Sequence, residues 1–318
     1  MKLEAKTYDM VMDIKEKYNG LFLVDFSYQL HRFFYAHSML SINRGGVELP
    51  TGHIYGVLRL VASMRKDAPD YAVVLVLDGK DPEKKELNED YKAGREKKKY
   101  NVYSDVTKIL EMVSLIEEGV YVSYDESKEA DDTIFAIAKC FEKCWEGEEK
   151  EILISSSDKD FYQAVSEKIK IVKSFGKKGF LESADVIDEG RVREEFYGVN
   201  PRDLVKLRAI IGDSSDNIKG FIRFPRKLAA KMANGGVKFY ENTLDVVNKK
   251  SFTSSELNNI DKVKKEYDRF MNNYKLMKLK VYPFKLRVPE SNRAMELVNE
   301  YRMNSFKKEV ETINGRQL

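Results

Sequence analysis

Acidic residues end or follow the apolar segments of this chain that we expect to form strands. In chain order they are Asp25, Asp78, Glu129, Asp131, Asp132, Asp158 and Asp160. Because the carboxyl ends of parallel strands form one edge of a sheet, these acids are expected to converge there. Any one of them could instead cap a helix, but a crowded set of carboxylates repels itself unless cations lie between them.

A convergent set of carboxylates indicates a site for divalent metal ions. Hard oxygen ligands of this kind suit Mg²⁺ or Mn²⁺. Two such ions roughly 4 Å apart would stabilise both the attacking and the leaving oxygen of an in-line phosphoryl displacement. The acids therefore predict a metal-dependent phosphodiesterase.

The elements that must position these acids are short apolar runs that alternate with amphipathic helical patterns. This alternation is typical of an α/β protein with a mostly parallel central sheet flanked by helices. The expected strands lie at 21–25, 71–78, 120–123, 151–155 and 169–173. From about 184 the pattern is nearly all helical, with DVIDEGRVREEFYG read as helical and NNIDKVKKEYDRFMNNYKLMKL as one long helix. We therefore expect an α/β core at 1–183 and a helical subdomain at 184–318.

The composition is that of a globular protein with a charged surface. The 318 residues are 42% hydrophobic, which suffices for a full core, and 55 basic residues nearly balance 52 acidic ones. Cys140 and Cys144 have no histidine nearby to complete a zinc site, so we expect reduced thiols. The charged N-terminus resembles neither a signal peptide nor a membrane anchor, which favours a cytoplasmic location. The basic residues form clusters suited to phosphates or to a solvated surface, at 92–99, 168–178, 223–231 and 262–265.

Six short motifs resemble those of the 5′-nuclease (flap endonuclease) superfamily, and they occur in that family's order over about 21–220. They are LFLVDFSYQLHRFFYA, LVLDGK, YKAGR, EADD, ISSSDKDF and LRAIIGDSSDNIKG. The chain looks most similar to the phage ribonuclease H and phage 5′-3′ exonuclease branch, and it also resembles the 5′-nuclease domain of bacterial DNA polymerase I. The resemblance implies a PIN-like core, a basic arch at about 88–128 and a helix-three-turn-helix at about 201–234.

The same resemblance implies a role for each acid at two metal ions. The first metal would be held by Asp25, Asp78 and Asp131, and the second by Asp158, Asp160, Asp213 and Asp216. Glu129 and Asp132 would hold water around the metals. The residues alone do not predict roles for Asp213 and Asp216, since GDSSDN reads as a turn.

The family also suggests which residues contact nucleic acid. Lys92 and Arg95 match its lysine and arginine at the scissile phosphate, and Tyr100 and Tyr103 could either stack on bases or pack in the core. The helix-three-turn-helix often binds K⁺, but here FIRFPRKLAAKM replaces the usual Gly-x-Gly hairpin, which weakens that expectation. Further candidates for nucleic-acid contact are Arg32, Tyr91, Lys97, Lys98, Lys99, Arg223, Arg226, Lys227 and Lys231.

The leading hypothesis is a structure-specific nuclease that acts on branched, flapped or nicked DNA, as a 5′-3′ exonuclease from 5′ ends and as an endonuclease at flaps, and that releases 5′-phosphate and 3′-hydroxyl ends. Removal of RNA primers from RNA–DNA hybrids is a further activity that it could have. One alternative is a PIN-type ribonuclease, although small PIN domains lack the helical subdomain. The other is a branched-DNA-binding protein without activity, but unpaired acids are costly to keep without metal. A monomer is expected, with a single-stranded-DNA-binding protein or a sliding clamp as conceivable partners. The tail FKKEVETINGRQL reads as a frayed end rather than a docking peptide.

Overall fold

The computed structural model describes residues 2–87, 100–176 and 180–317. Within these ranges the strands are β1 (Gly20–Asp25), β2 (Ser41–Arg44), β3 (Val47–Pro50), β4 (Tyr71–Leu77), β5 (Val120–Tyr124), β6 (Glu151–Ser155), β7 (Ile169–Ser174), β8 (Asp185–Ile187), β9 (Gly212–Asp213), β10 (Ile218–Lys219), β11 (Val237–Phe239) and β12 (Leu244–Val246). Six of them form the central sheet in the order β5-β4-β1-β6-β7-β8, and the remaining six form separate two-stranded sheets.

Helices cover both faces of this sheet. They are α1 (Ala5–Lys17), α2 (Phe26–Ala36), α3 (Gly52–Asp67), α4 (Pro82–Leu87), α5 (Val106–Val113), α6 (Ala130–Cys144), α7 (Glu189–Glu195), α8 (Leu204–Ile211), α9 (Arg226–Lys231), α10 (Ser254–Lys265), α11 (Tyr267–Met277), α12 (Ala294–Glu300) and α13 (Asn304–Asn314). None of the helices in the described ranges is both long and apolar enough to span a bilayer.

The five strands expected from the sequence are confirmed, and they run parallel to one another in the sheet. Every residue of β1 is buried, because helices pack on both faces of the strand. Its parallel pairing with β4 and β6 brings the ends of the three strands to one edge, where Asp25 aligns with Val76. The mostly parallel α/β fold is therefore confirmed.

Two hydrophobic cores lie on opposite faces of the sheet. One contains side chains from α1 and α6 together with side chains from α8 to α11. The other contains side chains from α2, α3 and α5 together with those of α12 and α13. The residues after 184 thus pack on both faces of the sheet, and the division at 183 stays a prediction.

Two expectations for the second half of the chain were wrong. The segment read as helical from Asp185 begins with β8, which pairs antiparallel with β7 and buries Ile187, and α7 begins only at Glu189. The helix expected to be continuous breaks at Glu266. Beyond the break, Asn273 donates to the carbonyls of Ala209 and Lys219, which ties α11 to α8 and β10. In both segments tertiary contacts determine the secondary structure, because the local helix propensity of a sequence is a weak predictor of it.

The C-terminal region also returns to the sheet. Arg287 exchanges backbone hydrogen bonds of 2.8 and 3.0 Å with Val122 of β5. The tail expected to fray forms α13, because Phe306 and Val310 are buried against the α3 side of the core. Lys280 contributes its backbone N–H to Asp132 at 2.8 Å, so this region reaches the acidic segment that opens α6.

A buried polar cluster ties α3 to the start of α5. His53 and Tyr100 both contact Asp105 Oδ2, at 3.0 and 2.7 Å, and Lys108 donates to Oδ1 at 2.7 Å. Tyr100 also stacks on Phe34, so it packs in the core. Burial raises the pKa of Asp105, but these hydrogen bonds outweigh it and lower the pKa to about 2.

This cluster predicts loss of stability in acid. A carboxylate whose pKa is lower in the folded state stabilises the fold above its unfolded pKa and loses that contribution as the pH falls through its folded pKa. We expect Asp105 to contribute about 2 kcal/mol at pH 7, lost between about pH 4 and pH 2. The measurement is the difference in unfolding free energy between the wild type and Asp105→Asn across this range. A difference that stays constant from pH 7 to pH 2 would contradict the prediction.

Candidate active site

Asp25 lies at the carboxyl end of β1, in the middle of the sheet, and its side chain is 7% exposed. It accepts hydrogen bonds of 3.0 Å from the backbone N–H of Tyr28 and from the hydroxyl of Ser156. Burial, together with repulsion from Asp78 and Asp158, raises the pKa of Asp25 to about 7 against the lowering effect of these hydrogen bonds. A nearby cation would stabilise its ionised form.

Asp78 follows β4, next to β1 in the sheet, and links this strand to α6. Its Oδ1 accepts a hydrogen bond of 2.8 Å from the backbone N–H of Ala130, the first residue of that helix. The helix N-terminus favours a negative charge there. The contact holds the EADD segment beside the strand ends, so Asp131 in the first turn of α6 lies at the same edge.

Three acids at this edge have the geometry of a metal site. Asp131, Asp158 and Asp160 each offer a carboxylate oxygen, and these oxygens lie within 4.8 Å of one another. A loop after β6 presents the last two, in which Asp158 caps the following turn by accepting from the N–H of Asp160 at 2.8 Å. Such closely spaced oxygen donors fit a divalent cation.

Glu129 and Asp132 flank this group and share a buried lysine. Lys84 Nζ lies 2.8 Å from Glu129 Oε2 and 3.0 Å from Asp132 Oδ2. The Lys84 side chain is 4% exposed and that of Asp132 is fully buried. The structure therefore places Asp132 in an internal ion pair. The water-holding roles expected of Glu129 and Asp132 stay predictions.

Asp213 and Asp216 lie in the tight turn between α8 and α9. Gly212 ends α8 with a φ of +81°, and a Cβ there would lie 2.2 Å from the backbone nitrogen of Gly220. Only glycine permits so close an approach of the two strands β9 and β10. Asp213 accepts from the backbone N–H of Ser215, and Asp216 is buried. The binding of K⁺ in this segment, against which the replaced Gly-x-Gly hairpin argues, stays untested.

An arginine links this turn to the main acidic group. The Arg208 guanidinium on α8 donates to both Asp160 and Asp213. Burial lowers the pKa of Arg208, but the two carboxylates outweigh it and raise the pKa. At Asp160, burial and repulsion from Asp158, Asp216 and Asp213 exceed the opposing effect of Arg208, so the pKa rises to about 6. The structure thus brings together the acids predicted from strand ends and those implied by the GDSSDN motif.

The residues expected to contact nucleic acid differ in their exposure and in their contacts, and some lie outside the described residues. Arg223, Arg226 and Lys227 are exposed at the start of α9, whereas Lys231 interacts with Glu256 and lies over the Phe252 ring. Arg32 lies 3.5 Å from the Lys173 carbonyl. The others lie outside the described residues: Tyr91, Lys92, Arg95, Lys97, Lys98 and Lys99.

Sequence reasoning missed the two basic residues inside the acidic group. Lys84 is one of several lysines in an exposed-looking stretch, and nothing in its spacing distinguishes it from Lys80. Arg208 carried a signal, since it interrupts the apolar run LVKLRAII on the helix that leads into Asp213. A buried arginine needs hydrogen-bonding or charged partners, so this position pointed to polar groups packed against α8.

Sequence comparison identifies relatives of this chain. Residues 20–197, more than half of the chain, match the family described as "5'-3' exonuclease, N-terminal resolvase-like domain". A 5'-3' exonuclease of Aquifex aeolicus is 27% identical over 307 residues, which covers 92% of this chain and 96% of that protein. A thermostable DNA polymerase I of Thermus filiformis is 32% identical over 224 residues, 70% of this chain. The match spans only 24% of the polymerase.

Structural comparison finds the same fold. The flap endonuclease D15 of bacteriophage T5, in a pseudo-enzyme-product complex with DNA and metal ions, superposes with a TM-score of 0.54 at 15% identity. The superposition covers 93% of this chain and 98% of the phage protein. With an acidic cluster at the carboxyl edge of a mostly parallel sheet and a family match over more than half its length, the chain belongs to the 5'-3' exonuclease family.

Proposed function

We propose that the protein is a divalent-metal-dependent 5′ nuclease that cuts branched, flapped or nicked DNA near a 5′ end. The observation that carries the proposal is the group formed by Asp131, Asp158 and Asp160, whose oxygens lie within 4.8 Å of one another. Asp25 and Asp78 extend this group towards the strand ends, since both acids and Asp158 interact electrostatically.

The side chains of the site would hold and orient divalent cations. Asp131, Asp158 and Asp160 offer oxygens to such ions, and Mg²⁺ or Mn²⁺ suits these donors. Asp25 and Asp78 are held in place by hydrogen bonds from Tyr28, Ser156 and Ala130. Divalent cations, when bound, supply an activated water and neutralise charge on the phosphate. The products would carry 5′-phosphate and 3′-hydroxyl ends.

Two further features support a DNA substrate. Arg223, Arg226 and Lys227 expose positive charge beyond the Asp213 turn, and cations of this kind bind phosphates without reading sequence. The T5 flap endonuclease, which shares the fold, is known in complex with DNA and metal ions. We further propose that the enzyme is a monomer that acts in the cytoplasm with replication proteins, including a single-stranded-DNA-binding protein or a sliding clamp, and that it also cuts RNA–DNA hybrids.

Metal removal and substrate choice test this function directly. Three 5′-labelled substrates are compared in Mg²⁺ and in EDTA: a DNA flap, an RNA–DNA hybrid and a single-stranded RNA. We expect release of short 5′ fragments from the flap in Mg²⁺ and a loss of at least about 10³-fold in rate in EDTA. Cleavage of the hybrid would extend the substrate range to RNA. Cleavage that persists in EDTA, or that is confined to single-stranded RNA, would refute the proposal.

A further inference from the structure

Arg208 occupies carboxylates that the family assigns to a metal. The residue is 8% exposed on α8, and its guanidinium contacts Asp160 through Nη1 and Asp213 through Nη2. Asp160 comes from the loop after β6, and Asp213 comes from the turn after α8. One guanidinium thus joins two acids from different parts of the fold. Its planar group presents several N–H donors in fixed directions, which suits binding to two carboxylates.

The other half of the acidic group is held differently. Asp25 accepts from the Tyr28 N–H and the Ser156 hydroxyl, and Asp78 accepts from the Ala130 N–H. These donors are neutral, so they orient the carboxylates without cancelling their charge. At Asp160 and Asp213, by contrast, a full positive charge is already present. As far as the described residues show, the negative charge that attracts a divalent cation is therefore unevenly distributed over the group.

We propose that Arg208 is a resident cation that stands in for the second metal and competes with it for Asp160 and Asp213. This inference rests on the proposed function, because it assumes that the acids bind metal. The first divalent cation binds at Asp25 and Asp78, whose hydrogen-bond donors among the described residues are neutral. A second ion reaches Asp160 and Asp213 only if the guanidinium leaves at least one of them.

Calorimetric titration of the metal-free protein with Mn²⁺ tests the competition. We expect the wild type to bind one ion tightly and a second at least about tenfold more weakly. In Arg208→Met, which keeps an unbranched apolar side chain but removes the charged guanidinium, the weaker site should tighten by about tenfold, or about 1.4 kcal/mol. The tighter site should change by less than about twofold. An unchanged or weakened second site would overturn the inference.

Two further variants keep the result interpretable. Arg208→Lys retains a charge but loses the planar fork that spans both acids, so its second site should be tighter than in the wild type and weaker than in Arg208→Met. If circular dichroism shows that Arg208→Met does not fold, the comparison of Arg208→Lys with the wild type tests the inference. An unchanged Mn²⁺ affinity of the weaker site in Arg208→Lys would then overturn it. Asp78→Asn should weaken the tighter site. If the wild type binds no Mn²⁺, or if Asp78→Asn changes nothing, the proposed function itself fails.

Discussion

Asp131→Asn is expected to reduce the rate of flap cleavage in Mg²⁺ by roughly 10³-fold or more. The substitution keeps the shape of the side chain but replaces one of three clustered carboxylates with a neutral amide. Since Asp131 lies at the first turn of a helix, its neighbours tolerate an amide there, and the fold should persist. The measurement is single-turnover cleavage of a 5′-labelled flap, with DNA binding followed by fluorescence anisotropy in EDTA.

Asp268→Asn is the matched control for this variant. Asp268 also lies in the first turn of a helix, α11, but it is exposed and remote from the acidic group in sequence. The rate of flap cleavage by Asp268→Asn should stay within about twofold of that of the wild type. Loss of an exposed charge near a helix N-terminus costs no more than about 1 kcal/mol of stability, so the variant should stay folded. Flap cleavage by Asp131→Asn within tenfold of the control would refute a metal-binding role for Asp131.

Lys84→Met is expected to destabilise the metal-free protein by about 3–5 kcal/mol. The substitution removes a charged partner of Asp132, whose side chain is fully buried, and of Glu129. A buried carboxylate without a charged partner keeps its desolvation cost and loses its compensation. The measurement is equilibrium unfolding in urea with EDTA present.

Two comparisons separate this effect from a general cost of losing a lysine. Lys17→Met breaks an exposed ion pair with Asp13, in which the lysine side chain is 63% exposed, and should leave the free energy of unfolding nearly unchanged. The double variant Lys84→Met/Asp132→Asn should recover most of the lost stability, because the buried charge is gone. If Lys84→Met and Lys17→Met are equally stable, the buried ion pair contributes nothing.

The positions of the acids were predictable from the sequence because they depend on local patterns. Continuous apolar runs such as LFLVD and YAVVLVL, alternating with helical patterns, are typical of strands buried on both faces, so the residues at their ends were expected to meet at one edge. The turn that holds Asp213 and Asp216 was found by resemblance alone. The conformation of this turn depends on a close approach between Gly212 and Gly220. The residue types in GDSSDN do not predict that contact.

The partners of those acids could not be predicted in the same way. Lys84 is separated by 45 residues from Glu129, and Arg208 by 48 residues from Asp160. The packing of α4 and α8 against the strand ends determines which basic residue enters the acidic group. The spacing of residues along the sequence does not predict this packing. The pairing of β8 with β7 was missed for the same reason, since three residues are too few to show a period.

The contacts between the last part of the chain and the acidic segment have a consequence for synthesis. Asp132 receives the backbone N–H of Lys280, and Gln163, close to Asp160, exchanges hydrogen bonds with Met277 and Leu279. A chain emerging from the ribosome folds from its N-terminus, so the strands that carry Asp25 and Asp78 are made long before these partners exist. The site would therefore reach its final arrangement only after residues 277–280 have left the ribosome, which delays the appearance of nuclease activity until well after the acidic strand ends have been made.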